Sequence, residues 1–301
     1  MPRVIVFDTN AYQHLPAGKL DELVATERRD GITAFADTWV LGELLVKLAD
    51  PDNRPHARAA LKKLYYHCGG PEAPRLIIDC EDQICRLLLG KSPDGYAAAR
   101  ASLGLLLERV VRSGDDDPLS ELMGEINDLA GHFQKVETQR AELMFNGVVR
   151  AAVPTADSWD ALARDAEKRT LVLGLLDRGE IFLALIRSEI RRAHEALGMA
   201  VPVPIPRAME EVLIKAFPYP FHFECEMIRR VVERGWSVEA AGRRNAIWDA
   251  QIAFNAGQTV QGAGTVTLVT NENLFHEVAV KINQPGLERP HDYLRARGIA
   301  A

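Results

Sequence analysis

The chain has 301 residues, 47% of them hydrophobic and 26% charged, with a formal net charge of -6 and a pI near 5.8. This composition is that of a water-soluble protein with one large domain or two modest ones, and the acidic balance excludes a protein that coats nucleic acid indiscriminately, though not one with a local basic groove. No stretch reaches the unbroken apolar length a bilayer needs and no secretory leader opens the chain, so a cytoplasmic protein without membrane contact is expected. The cysteines, Cys68, Cys80, Cys85 and Cys225, are irregularly spaced and form no CxxC pair, which predicts reduced thiols and no zinc site.

The first element is Val4-Ile5-Val6-Phe7, an apolar run of the kind buried on both faces in a parallel sheet, and it stops on Asp8-Thr9-Asn10. Ligands of open α/β sheets sit at the carboxyl ends of strands, so Asp8 is placed where chemistry is done. Read alone, Asp8 is equally an N-cap of the next helix, and Thr9 and Asn10 can cap that helix or bond the acid. Helical spacing follows over 20–29, a short strand over 32–36, and a helix that Asp37 or Thr38 caps and that runs through Leu48. That helix carries Leu41, Leu44, Leu45 and Leu48 as a core stripe, with Glu43 off its centre. Residues 57–66 predict another helix, 75–79 a third strand, and Ile84, Leu87, Leu88 and Leu89 mark a helix after it.

From about residue 93 to 235 the periodicity is almost all helical, over 96–112, 119–151, 158–176, 180–197, 208–217 and 223–234. The α/β texture then returns, with a helix over 237–255, a strand over 265–269 ending at Thr270-Asn271-Glu272, a helix over 274–282 and a short one over 291–297. The predicted organisation is a first α/β half at 1–92, a helical insertion at 93–235 and a second α/β half at 236–301.

Four places in this frame carry acids in order. They are Asp8 after the first strand, Glu43 in the helix after the second, Asp249 within Ile247-Trp248-Asp249-Ala250-Gln251-Ile252, and Glu272 in Thr270-Asn271-Glu272-Asn273-Leu274-Phe275. Their order and local context resemble the four motifs of the PIN-domain nucleases, metal-dependent enzymes most of which cut single-stranded or structured RNA. The resemblance covers about 2–90 and 237 to the C-terminus; the helical insertion resembles nothing we can name. It departs from the family's T-x-D-x-x-F pattern at Glu272, where a glutamate one methylene longer replaces aspartate.

The resemblance implies a three-layer α/β/α PIN-like fold with a mainly parallel sheet and an inserted all-helical region. It implies Mg2+ or Mn2+, hard cations suited to carboxylate oxygen. Asp8 would be the central ligand, Asp249 and Glu43 would bind directly or through water, and Glu272 would hold a second ion. Asn10, Asn245, Thr270, Asn271 and Asn273, with Arg243 and Arg244, would contact substrate or support the ligands. The implied activity is a cytoplasmic endoribonuclease of toxin, defence or processing type that leaves a 5'-phosphate and a 3'-hydroxyl. Its partners would be RNA and a second copy or an inhibitory protein. A DNA nuclease is the enzymatic alternative, and a catalytically weakened PIN-like scaffold the non-enzymatic one. Each residue also has a plainer reading: Glu43 as a solvated helix acid, Asp249 as an ion-pair partner of Arg243 or Arg244, and His14 and His276 as surface or capping groups. For the runs Arg187, Arg191, Arg192 and Arg229, Arg230, Arg234, ion pairing with nearby glutamates is favoured slightly over a phosphate track.

Overall fold

The computed structural model describes residues 3–69, 74–77, 79–114, 119–235, 245–260 and 264–300. It is a mixed α/β protein that divides into two compact units. The first comprises 1–79, 95–134 and 255–301, and the second 80–94 and 135–254. The helical stretch expected as one insertion is therefore shared, its first part belonging with the sheet.

The sheet lies in the first unit. Strand β1 (Arg3–Phe7) is central, because Val4, Ile5, Val6 and Phe7 are all buried and only an interior strand hides both faces. It pairs in parallel with β2 (Ile32–Phe35) on one side and with β4 (Gly264–Val269) on the other, Phe7 standing opposite Val269. Outside β4 lie two strands of two residues each, the antiparallel β3 (Thr259–Val260) and the parallel β5 (Leu287–Glu288). The strand expected over 75–79 is reduced to a single parallel bridge between Ala36 and Leu76 at the β2 edge, and Ile78 is outside the described residues. That edge is nevertheless satisfied, because Ala36 donates to the Arg75 carbonyl and Ile77 to the Ala36 carbonyl, each at 2.8 Å.

Helices α1 (Thr9–His14), α2 (Leu20–Arg29), α3 (Thr38–Ala49), α4 (Arg54–His67) and α6 (Tyr96–Arg112) pack around this sheet, with α14 (Asn273–Ile282) and α15 (Pro290–Arg295) closing the unit. Asp37 caps α3 by accepting from the amides of Trp39 and Val40, and Asn255 donates to its other oxygen at 2.7 Å. The stripe Leu41, Leu44, Leu45, Leu48 is buried as expected. Beneath Phe7 runs a buried polar chain: Tyr12 bonds His67 Nδ1 at 3.1 Å, His67 Nε2 meets Glu27 at 2.8 Å, and the Tyr293 hydroxyl donates to Glu27 at 2.7 Å. It ties α1, α2, α4 and α15 together.

Gly42 sits where α3 meets the start of α7 (Met123–Met144). A Cβ built there would stand 2.5 Å from the Phe133 ring, which also packs edge-on against Trp39. Gly42→Ala is expected to cost about 1 to 3 kcal/mol through overpacking, read as a lowered midpoint in urea denaturation. An unchanged midpoint would mean the ring yields freely.

The second unit is helical. It contains α5 (Cys80–Leu89), the end of α7 with a π-helical turn over Phe145–Arg150, α8 (Trp159–Arg164), α9 (Ala166–Asp177), α10 (Glu180–Ala196), α11 (Arg207–Ala216), α12 (Pro218–Arg234) and α13 (Asn245–Ile252). One helix was expected over 158–176. It breaks at Asp165, whose carboxylate accepts from the Lys168 amide and starts α9 afresh. Helix α10 packs against α5, α9, α11 and α12 through Ile181, Leu185, Ile186 and Ile190. Leu171 is half exposed, whereas Leu175 and Leu176 are buried. All four cysteines are free thiols. No helix of the described residues is long and apolar enough to cross a membrane.

Candidate active site

Three neighbouring parallel strands, β2, β1 and β4, end on the same side of the sheet, and each leads directly into an acid-bearing segment. Asp8 follows β1. Its amide donates to the Val269 carbonyl at 3.0 Å, which fixes the end of β1 against the end of β4. Its Oδ1 accepts from the Ala11 amide at 2.7 Å, so the N-cap reading is correct as far as it goes. Its Oδ2 accepts from the Thr270 hydroxyl, a group that no cap requires. Thr270 is fully buried, and its hydroxyl also accepts from the Glu272 amide at 3.1 Å. His276 Nε2 donates to the Thr270 carbonyl at 2.8 Å, which pins the turn from behind.

Glu272 stands at the start of α14, where Asn10 Nδ2 donates to its Oε1 at 2.5 Å. Glu43 reaches from α3 toward the start of α1. Its Oε2 accepts from the Thr9 hydroxyl, and its Oε1 pairs with Lys47 Nζ at 2.8 Å one turn further on. Thr9 and Asn10, the two residues after Asp8, thus grip the two flanking acids. Asp8 is 4% exposed, and its carboxyl is pushed up to about 6, chiefly by burial. The bonds from Thr270 and Ala11 lower it, while the charges of Glu272 and Glu43 raise it further.

Other expected site residues fall elsewhere. The Asn271 side chain is exposed, and the Asn273 Oδ1 accepts from Arg289 at 2.9 Å, so this cation, which the sequence did not single out, braces the loop after β4. Asp249 lies half-buried in α13 of the second unit, beside the buried Trp248, and its charge helps raise the Tyr219 hydroxyl. Asn245 begins α13 and is exposed. Arg243 and Arg244 lie outside the described residues. The arginine runs are ion-paired: Arg187 with Glu210, Arg192 with Glu189 and Glu81, Arg229 with Asp177, and Arg230 with Glu226. These four act as counter-charges within the helical unit, whereas Arg191 and Arg234 are exposed.

The donor set suits a hard cation. It offers carboxylate, hydroxyl and amide oxygen, and one of its carboxyls is held above its ordinary value by burial and, to a lesser degree, by two like charges, a situation that a bound cation relieves. As the side chains stand, among the described residues no group of three or more His, Cys, Asp or Glu is arranged to hold a metal ion. Thr9, Asn10 and Lys47 take up the flanking oxygens instead. Comparison of the chain with family models, with curated proteins and with solved structures gives no match in any of the three.

Proposed function

We propose that this chain is a PIN-like endoribonuclease dependent on Mg2+ or Mn2+. The observation that carries the reading is the convergence of Asp8, Glu43 and Glu272 at one end of three adjacent parallel strands, close enough that the two glutamates raise the Asp8 carboxyl. A scaffold has no physical need to crowd acids against a buried one, since each added charge costs stability.

Asp8, Glu272 and Glu43 would hold the ion, Asp8 as the buried anchor. When bound, Mg2+ or Mn2+ lowers the pKa of a coordinated water and stabilises negative charge on a phosphodiester oxygen. Thr270 keeps Asp8 in one rotamer, and Asn10 and Thr9 hold the flanking acids over the mouth of the site. Lys47, beside Glu43, adds positive charge where a phosphate would approach.

One observation favours a second reading. The Glu43 oxygens are both engaged, by Lys47 and Thr9, which suits a PIN-like scaffold that has traded its ligands for internal bonds. The two are separated by incubating wild type, Asp8→Asn, Glu272→Gln and Asp249→Asn with labelled single-stranded RNA, tRNA and single-stranded DNA, with Mg2+ or Mn2+. Metal-dependent RNA cuts that fall at least about 100-fold in Asp8→Asn are expected. Cuts in DNA alone would make the chain a DNA nuclease. No cleavage and no Mn2+ binding would leave the scaffold.

A further inference from the structure

On the nuclease reading, an acidic centre needs a cationic surface for its substrate. The first unit has a groove of about 480 Å3 along α4, within the roughly 300 to 1,000 Å3 of ordinary ligand clefts. It is lined by the apolar Leu20, Pro55 and Ala59 and by Arg58, Lys62, Lys63 and Tyr66. None of these lining residues is acidic, in a chain whose formal charge is -6. Arg58, Lys62 and Tyr66 recur every fourth residue and so share one helix face. Tyr66 is 49% exposed, an unusual position for so large a ring, and Tyr65 packs edge-on against it at 5.5 Å and limits its swing.

The groove is tied to the far end of α1, the helix that Asp8 caps. Lys63 Nζ donates to the carbonyls of Tyr12 and Gln13 at the end of that helix, at 3.1 and 3.5 Å. At about 1.5 Å rise per residue, Gln13 lies only about 7 Å along the helix from Asp8. Arg58 is 6% exposed and donates to the Ser113 hydroxyl and the Gly114 carbonyl, so it contributes charge from below and shapes the wall.

We propose that the α4 groove binds the single-stranded RNA substrate next to the scissile bond, with Lys62 and Lys63 facing its phosphates and Tyr66 stacking on a base. The combination fits single-stranded nucleic acid: cations track the backbone, and one exposed ring accepts any base because every base has a π-face. The proposal rests on the nuclease reading for its choice of RNA, but its binding step needs no metal.

The test is fluorescence anisotropy of a labelled single-stranded RNA in EDTA, at several salt concentrations, for wild type, Lys62→Ala, Lys62→Arg, Tyr66→Ala and Asp8→Asn, each first shown by circular dichroism to be folded. Tyr66→Ala is expected to weaken binding about 10-fold. Lys62→Ala should weaken it several-fold and flatten the dependence of log K on log salt by about 0.7 to 1, with Lys62→Arg restoring the slope. Asp8→Asn should bind as well as wild type or better. RNA bound with these dependences but never cut would keep the groove and overturn the nuclease. Metal-dependent cleavage lost in Asp8→Asn, with KM and binding unmoved by Lys62→Ala and Tyr66→Ala, would overturn the groove and keep the nuclease. Displacement of the RNA by a polyaspartate peptide at equal charge concentration would overturn the proposal in favour of an acidic polypeptide ligand.

Discussion

Asp8→Asn is expected to raise the stability of the metal-free protein above pH 6 while removing its Mn2+ binding and its cleavage. Asp8 is held at about 6 in the folded chain, above its ordinary 3.8. A carboxyl shifted upward contributes stability that is fully present below pH 3.8 and is lost as the pH rises through about 6. At neutral pH the folded protein therefore carries a buried charge it would shed, a cost on the order of 2 to 3 kcal/mol. Asparagine keeps the acceptor for the Ala11 amide and removes the charge. Thermal melts at pH 7.5 in EDTA should show the variant a few degrees above wild type, and Mn2+ should raise the wild-type melt but not the variant's. The Mn2+ shift should shrink as the pH falls below 6, because the ion competes with a proton for the same oxygen. A variant that melts below wild type in EDTA would show that Asp8 is held for structure and that the ligand reading of it is wrong.

A second large effect is expected in the helical unit. Glu224 on α12 is 3% exposed and lines a small cavity with Arg140, Ser188, Glu189, Arg192 and Gln251. Arg140 pairs with Glu189 at 3.0 Å, and Arg192 holds the same carboxylate through two contacts of 2.8 Å. With both arginines committed to Glu189, burial first and the Glu189 charge second push the Glu224 carboxyl from 4.5 up to about 8, and Arg140 only partly opposes this. Stability from this group is complete below pH 4.5 and declines until about pH 8, where Glu224 ionises in place. The full decline is on the order of 4 kcal/mol. Glu224→Gln should match wild type near pH 4.5 and exceed it at pH 9, where urea midpoints read the difference. Parallel pH profiles for the two proteins would mean that Glu224 finds a cation or water in solution that relieves it.

Much of the frame was legible because long apolar patterns leave few choices. Val4 to Phe7 could only be an interior strand, the leucines of α3 only a helix facing it, and Glu180 to Ala196 only a long amphipathic helix. What escaped were elements too short to have a period. The strands Thr259–Val260 and Leu287–Glu288 owe their existence to the open edge of β4 and not to their own side chains. The break in the helix expected over 158–176 was written in Asp165, an N-cap that periodicity alone passes over.

At the site, the acids themselves could be found from strand ends and order, but the groups that grip them could not. Asn10 and Glu272 are 262 residues apart, and Thr9 and Glu43 are 34 apart, so their pairing is a property of the sheet order. Lys47 is different. It stands four residues after Glu43 on one helix, the spacing of a common ion pair, and this signal was present in the sequence. The groove on α4 was legible only in part: Lys62, Lys63 and Tyr66 are close together in the chain, yet nothing in their order says that Leu20 joins them in one groove.

The pairing of β1 with β4 brings Arg3 beside Thr265, so β1 must wait for a strand that lies far along the chain. Such long-range contacts are the slow ones to form, since the chain between them must first be closed into a loop. Until β4 has been made, β1 holds one bare edge and Asp8 lacks the hydroxyl of Thr270. A nascent or truncated chain that ends before Gly264 therefore has no assembled acid cluster. If the protein cuts RNA, it is harmless to the message from which it is being read until β4 docks.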